Sequence, residues 1–324
     1  MRRRLFLATA SGLPSIALAQ GTGVRRVAVL IALSESDPEG QMRFGGLREG
    51  LRDLGWIEGK NLAIDARYTG GSPERTHELA QAFAAASPDV IVVNGTPALG
   101  EIHKATRTIP VVFMAAVDPV GLGYIDSLAR PGGNITGFGS FDVALVGKWL
   151  QLLKEVAPSL SHATVAHNPA NTPYYPRLIK PMDRLPGLAD VPVTLMAWQN
   201  PADIGRVIAE TAQRPGGCLL VPPDGFNTRY RAEIANGALA AGLPLIATYP
   251  AFVRSGALMS YSTDTNYYRQ AAGYVDRILK GARPADLPVQ LPTRFQLMIN
   301  MATARRLGLT VPPTLLATAD EVIE

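Results

Sequence analysis

Short apolar, β-rich runs alternate with amphipathic helical stretches along nearly the whole chain, and that alternation is the signature of parallel α/β layers. The first run is Val27 to Leu33, followed by a helix near Pro38 to Leu54 with Met42, Phe44, Leu47, Leu51 and Leu54 as its apolar face. Leu62 to Tyr68, Asp89 to Val93 and Val111 to Ala115 are the next strands, separated by helices over Pro73 to Ala86 and Pro97 to Thr106. These runs are almost wholly apolar, as strands covered on both faces must be, so a doubly wound sheet is expected.

The pattern breaks at Pro131-Gly132-Gly133-Asn134, passes a short strand at Ile135 to Phe138, and begins again. Helices are expected over Val143 to Val156, near Pro176 to Leu185, and over Ala202 to Gln213 and Thr228 to Ala241. Strands are expected at Ala163 to His167, Val191 to Ala197, Cys218 to Val221, Leu245 to Ala247 and Ala257 to Tyr261. A helix from Asn266 to Leu279, strand-like Leu287 to Leu291 and Phe295 to Ile299, and a helix from Met301 to Leu307 capped by Gly308 finish the chain. No fixed period appears, so two similar α/β units are expected rather than a solenoid, with a hinged cleft between them.

Arg2, Arg3 and Arg4 run into apolar Leu5 to Ala10 and on to Ala17-Leu18-Ala19, which has the form of a signal peptide over residues 1–19, with Gln20 the first mature residue. Arg3-Arg4-Leu5-Phe6-Leu7 resembles a twin-arginine export signal; an ordinary secretory signal is the alternative. Ser11, Gly12, Pro14 and Ser15 break the apolar stretch, which is shorter than the roughly 20 residues a membrane span requires. A periplasmic protein, soluble after cleavage, is therefore expected. The three arginines also supply most of the formal charge of +4, and without them 28 basic residues face 27 acidic ones. That balance leaves no basic stripe for nucleic acid.

Cys218, the single cysteine, lies in apolar surroundings and is expected to be an inert buried thiol. His77, His103, His162 and His167 show no ligand spacing, so no metal is expected. The G-x-S-x-G elbow, the G-x-x-x-x-G-K-[ST] loop and the G-x-G-x-x-G fingerprint are all missing, which argues against an enzyme and against a cofactor.

In open α/β sheets ligands bind beyond the carboxyl ends of strands, near helix N-termini. The segments there are Ser34-Glu35-Ser36-Asp37-Pro38, Asn94-Gly95-Thr96-Pro97, Val117-Asp118-Pro119, His167-Asn168-Pro169-Ala170-Asn171, Pro222-Pro223-Asp224-Gly225-Phe226 and Tyr261-Ser262-Thr263-Asp264. Each alone is more often a structural helix cap; six at the mouths of two sheets point to a site. Backbone N–H groups at such helix starts suit a carboxylate, and Asp118 or Asp224 suits an amino group. Phe138, Tyr174, Phe226, Tyr249 and Tyr261 are candidates for stacking on a ligand, with Phe226 and Tyr261 preferred because they adjoin polar strand ends.

Phe44 to Asn61, Asp89-Val90-Ile91-Val92, Thr96-Pro97-Ala98, Asp118-Pro119-Val120-Gly121, Arg130 to Gly137 and Ile299 to Gly308 together resemble the ABC transporter substrate-binding protein family that includes tryptophan-binding members. The resemblance runs from Arg25 to Pro312. It implies a type I periplasmic binding-protein fold, in which two doubly wound parallel-sheet lobes are joined by a three-segment hinge. Residues 24–137 with 262–285 would form one lobe, and 138–261 with 286–324 the other. By position, the family's pocket loops fall on Ser34, Thr96, Pro97, Asp118, Asn168, Asn171, Asp224 and Tyr261. Tryptophan-type members have Pro-Thr-Asp-Asn where this chain has Pro222-Pro223-Asp224-Gly225, a change that removes a side-chain donor and acceptor. The expected function is capture of a small organic ligand, an amino acid or an aromatic or carboxylate compound, by a monomer that delivers it to an ABC permease in the inner membrane. A periplasmic sensor that presents its closed form to a signalling receptor is the alternative, and a small-molecule enzyme a more distant one.

Overall fold

The computed structural model describes residues 23–139, 144–179, 191–263 and 267–324. The export segment therefore lies outside the described residues. The first half of the chain runs β1 (Arg25–Ile31), α1 (Pro38–Asp53), β2 (Leu62–Tyr68), α2 (Pro73–Ala86), β3 (Val90–Asn94), α3 (Thr96–Ala105), β4 (Val111–Ala116) and β5 (Ile135–Gly139). Its strands pair in parallel in the order β2-β1-β3-β4-β5. β3, β4 and β5 are buried along their whole length, as their unbroken apolar runs require. β2 departs from that expectation: at the sheet edge it alternates, with Leu62, Ile64, Ala66 and Tyr68 packing toward α1 and Asp65 and Arg67 facing outward.

The second half continues with α4 (Ala144–Val156), β6 (His162–His167), α5 (Tyr175–Ile179), β7 (Val193–Ala197), α6 (Ala202–Ala212), β8 (Gly217–Val221), α7 (Gly225–Arg229), α8 (Arg231–Ala240), β9 (Leu245–Ala247), α9 (Pro250–Arg254) and β10 (Met259–Thr263). Then come α10 (Tyr267–Leu279), β11 (Phe295–Asn300), α11 (Met301–Arg306), α12 (Pro313–Leu316) and β12 (Glu321–Ile323). The second sheet has the order β12-β11-β10-β9-β8-β6-β7. The chain crosses between the sheets after β5, after β10 and between α10 and β11, because α10 packs with Val27, Leu47 and Leu51 of the first lobe. The two doubly wound α/β lobes and the three-segment hinge are thus present.

Several elements differ from expectation for local reasons. β11 runs antiparallel to β10, because the third crossing re-enters the sheet at the end where β10 leaves it. Leu287 to Leu291 makes only an isolated bridge between Gln290 and Phe138, since Pro288 and Pro292 have no N–H to extend a ladder. The helix expected over Thr228 to Ala241 starts at Gly225 and breaks at Tyr230, because Asp224 caps it early. The helix expected to reach Leu185 is described only as far as Ile179. The short α9, α12 and β12 have too little periodicity to be seen in sequence.

Helix starts follow their caps. Asp37 accepts from the Glu39 N–H at 2.9 Å before Pro38, and Ser72 accepts from the Arg75 N–H at 3.2 Å before Pro73. Cys218 is buried, and burial pushes its thiol up. No helix among the described residues is long and apolar enough to cross a membrane.

Candidate functional site

The loops that follow strands in both sheets meet around a cavity of about 290 Å³. The first lobe supplies its wall from the ends of β1, β2, β3 and β4, and the second from the ends of β6, β8 and β9.

The centre of the first wall is the start of α3. Gly95 sits at φ 89°, a conformation open to glycine, and turns the chain sharply from β3 into the helix. No side chain caps α3, in contrast to α1 and α2, and Gly95 to Ala98 line the cavity at the positive end of the helix dipole, where Thr96 and Ala98 carry the first-turn N–H groups. The Thr96 hydroxyl accepts from the Val117 N–H at 2.8 Å, tying α3 to the end of β4. Asn94 donates to the Tyr268 hydroxyl at 2.8 Å.

Arg43 of α1 also lines this wall and is only 5% exposed. Its Nε pairs with Glu39 at 2.8 Å. Its guanidinium lies 4.3 Å from the centre of the Tyr249 ring and 5.4 Å from that of Tyr268. Burial acts to lower its pKa, but Tyr268, Tyr249 and Glu39 outweigh that and raise it, so the group is a fixed cation. Among the described residues its Nη2 has no hydrogen-bond partner.

The second wall is organised by Asp224, the N-cap of α7. Its Oδ2 accepts from the Asn168 N–H at 2.9 Å, and its Oδ1 from the Phe226 N–H at 2.7 Å and the Asn171 amide at 3.2 Å. Burial pushes its pKa up to about 6 even though these donors pull it down. Asn168 in turn donates to the Trp198 and Gln199 carbonyls and accepts from the Asn171 N–H, fixing the loop that presents Asn171. Tyr174 is buried and lines the cavity, and burial raises its phenol pKa.

Four of the sequence-predicted residues, Thr96, Pro97, Asn171 and Asp224, are brought together around the cavity. The other five are placed outside its lining. Ser34 is exposed, its carbonyl accepting from the Asp37 N–H at 3.1 Å. Asp118 caps a turn through the Gly121 N–H at 2.9 Å and pairs with Arg177 at 2.6 Å. Asn168 stands behind Asp224. The Phe226 ring packs on Trp198 and Tyr230, leaving only its N–H to the site. Tyr261 stacks on Phe295, and its carbonyl accepts from the Trp149 indole. Of the stacking candidates, Tyr174 and Tyr249 line the cavity, whereas Phe138 packs on Tyr274. Arg43 is absent from the sequence-based expectations, and Asn94 enters them only as part of its strand-end segment. The available signal for Arg43 was a charged residue four positions before Leu47, in register with the buried stripe of α1.

The fold is shared with solved structures. A conserved domain protein from Vibrio cholerae superposes with a TM-score of 0.84 at 29% identity, covering 92% of this chain and 99% of that one. An ABC domain from Streptococcus pneumonia in complex with L-Trp also gives 0.84, at 24% identity, covering 93% of this chain and 100% of that one. A tyrosine-binding protein from Clostridioides difficile is 26% identical over 268 residues, 82% of this chain and 76% of that protein. Residues 26–323 match the sequence model of one family over nearly the whole chain, and the protein belongs to it: the ABC transporter substrate binding proteins.

Proposed function

We propose that this protein captures an amino acid with an aromatic or large apolar side chain in the interlobe cavity, as a periplasmic monomer, and delivers it to an ABC permease of the inner membrane. Residues 24–137 with 262–285 and residues 138–261 with 286–324 would be the two lobes that close on it. The observation that carries this reading is the pairing of opposite polarities across the cavity, the uncapped start of α3 on one wall and the Asp224 carboxylate on the other. A zwitterion satisfies both: its carboxylate takes the Thr96 and Ala98 N–H groups, and its ammonium takes Asp224 beside Asn171. Apolar Leu33, Ala115, Val117 and Pro223, with the rings of Tyr174 and Tyr249, suit a bulky side chain. The tyrosine-binding relative and the L-Trp complex support the same ligand class. Because each lobe supplies one polar contact, the ligand favours the closed arrangement over the open one.

The test is a thermal-shift and calorimetric screen of residues 20–324 against the amino acids and their des-amino and ester analogues. A ligand at 100 times its Kd adds about 2.7 kcal/mol of stability, well above detection. An aromatic amino acid should shift the melting temperature while its des-amino and ester analogues do not. Equal binding of the analogues would refute the proposed contacts, and conversion of the ligand to a product would make the protein an enzyme.

A further inference from the structure

Asp224 is followed at once by Gly225, the first residue of α7, and at Gly225 the two lobes touch. A Cβ placed on Gly225 would stand 3.7 Å from the Gly71 Cα and 3.9 Å from the Ala32 carbonyl oxygen. One placed on Gly71 would stand 3.7 Å from the Gly225 carbonyl carbon. Ala32 lies just beyond β1 and Gly71 in the loop after β2, so backbone meets backbone across the cleft, at a point where both glycines also line the cavity. Gly71 has φ 78°, a conformation open to glycine. The second lobe continues the contact along the same stretch. Arg229, at the end of α7, donates to the Gly70 carbonyl at 3.4 Å, and Arg231 pairs with Asp37 at 2.9 Å. Asp224 to Arg231 therefore carries both the carboxylate offered to the ligand and the ties to the loops after β1 and β2.

We propose that Gly225 sets how far the lobes close on the ligand, by leaving room for the opposite backbone on the turn whose cap, Asp224, takes the ammonium. This rests on the amino-acid reading of the cavity. The space at position 225 holds one methyl group, because a Cβ there meets only ordinary van der Waals contacts. Atoms beyond it must either push the Gly71 loop away, which strains the neighbouring Arg231–Asp37 bridge, or turn into the cavity and meet the ligand. A side chain that takes the first course leaves Asp224 intact, yet removes the share of ligand affinity that comes from closure.

The experiment is calorimetry and stopped-flow dissociation with tyrosine and tryptophan on residues 20–324, comparing the parent with Gly225→Ala, Gly225→Val, Arg231→Ala and the double variant G225V/R231A. The ligand-free melting temperature checks that each is folded. Gly225→Ala should bind within about twofold of the parent, and Gly225→Val at least about tenfold more weakly, chiefly through faster dissociation. The double variant separates closure from obstruction of the ligand. If Gly225→Val holds the lobes apart, the Arg231–Asp37 bridge is already lost, so adding Arg231→Ala should weaken binding by less than about twofold more, against about tenfold in the parent. Losses that simply add mean that the valine meets the ligand rather than the opposite lobe, and overturn the proposal. Parental affinity in Gly225→Val overturns it too, as does an Arg231→Ala variant that binds like the parent, since this edge of the cleft would then contribute nothing to holding the ligand. All three outcomes leave the amino-acid reading standing. If the parent binds neither amino acid, that reading falls and this inference with it.

Discussion

At the scale of single residues, Asp224 couples the site to pH. Its carboxyl has a pKa pushed to about 6 by burial, against about 3.9 in an unfolded chain. The folded, ligand-free protein therefore holds this proton more tightly than the unfolded chain does. The group favours the folded state at low pH, and that contribution is lost as pH rises from about 4 through about 6. An ammonium placed against the carboxylate reverses the preference by stabilising the ionised form. Amino-acid affinity should thus be flat above pH 6 and fall by up to about tenfold per pH unit below it, with proton release on binding near pH 5 to 6, measured by calorimetry in buffers of different ionisation enthalpy. Asp224→Asn should abolish that pH dependence and weaken binding at least about tenfold. It should also cost about 1–3 kcal/mol of stability, because one carboxamide atom becomes a donor facing either the Asn168 or the Phe226 N–H. A pH slope that persisted in the variant would place the titrating group elsewhere. Thr96, Pro97, Asn171 and Asp224 were legible in the sequence because strand-end loops carry their chemistry locally, as caps and prolines. Arg43 was not, because its role depends on which face of α1 turns inward.

That choice of face is made at the scale of elements. Reading the sequence alone puts Met42, Phe44 and Leu54 on the inner side of α1, yet Met42 is 52% exposed and the buried stripe is Gly40, Arg43, Leu47, Gly50 and Leu51. The rotation is set by α10, more than 200 residues away in the chain, which lies so close that a Cβ at Gly50 would stand 2.6 Å from the Arg269 carbonyl and 2.7 Å from the Ala272 Cβ. No local pattern shows such an approach, although the order of the longer strands and helices was visible because it depends only on near neighbours. Gly50→Ala should therefore destabilise the protein by about 1–3 kcal/mol, the overpacking cost exceeding the gain of up to about 1 kcal/mol in helix propensity. The start of α10 carries Tyr267 and Tyr268 against Arg43, so the same variant should weaken ligand binding as well. A melting temperature equal to or above that of the parent would show that the two helices can separate without strain.

For the whole molecule, the alternation of strands and helices revealed two lobes and a cleft, but not which loop residues would face a ligand and which the opposite lobe. That division depends on the angle between lobes. Asp37 and Asp118, polar strand-end residues of the first lobe, both reach across to arginines of the second. Asp37 pairs with Arg231 at 2.9 Å and Asp118 with Arg177 at 2.6 Å. Both bridges join the two lobes, so an opening that separates these ends would break them, and each is expected to add its strength to the arrangement seen here and hence to ligand affinity. Their surroundings rank them. Arg177 and Asp118 are 54% and 31% exposed, and a pair so wetted is worth about 0–1 kcal/mol, less in high salt. Arg231 and Asp37 are 22% and 9% exposed, and Arg231 also donates to the Thr228 carbonyl at 2.7 Å, so that bond falls nearer the about 1.5–3 kcal/mol of a charge-assisted hydrogen bond. Arg231→Ala should accordingly weaken binding about tenfold or more, chiefly by faster dissociation, whereas Arg177→Ala should stay within about fivefold and lose its effect in 0.5 M salt. Arg231 is the side to alter, because Asp37 also caps α1 and its loss would confuse closure with helix stability. Stopped-flow dissociation of the bound amino acid from both variants decides the ranking: a larger effect at Arg177 would mean that closure is governed at the exposed rim rather than beside the cavity.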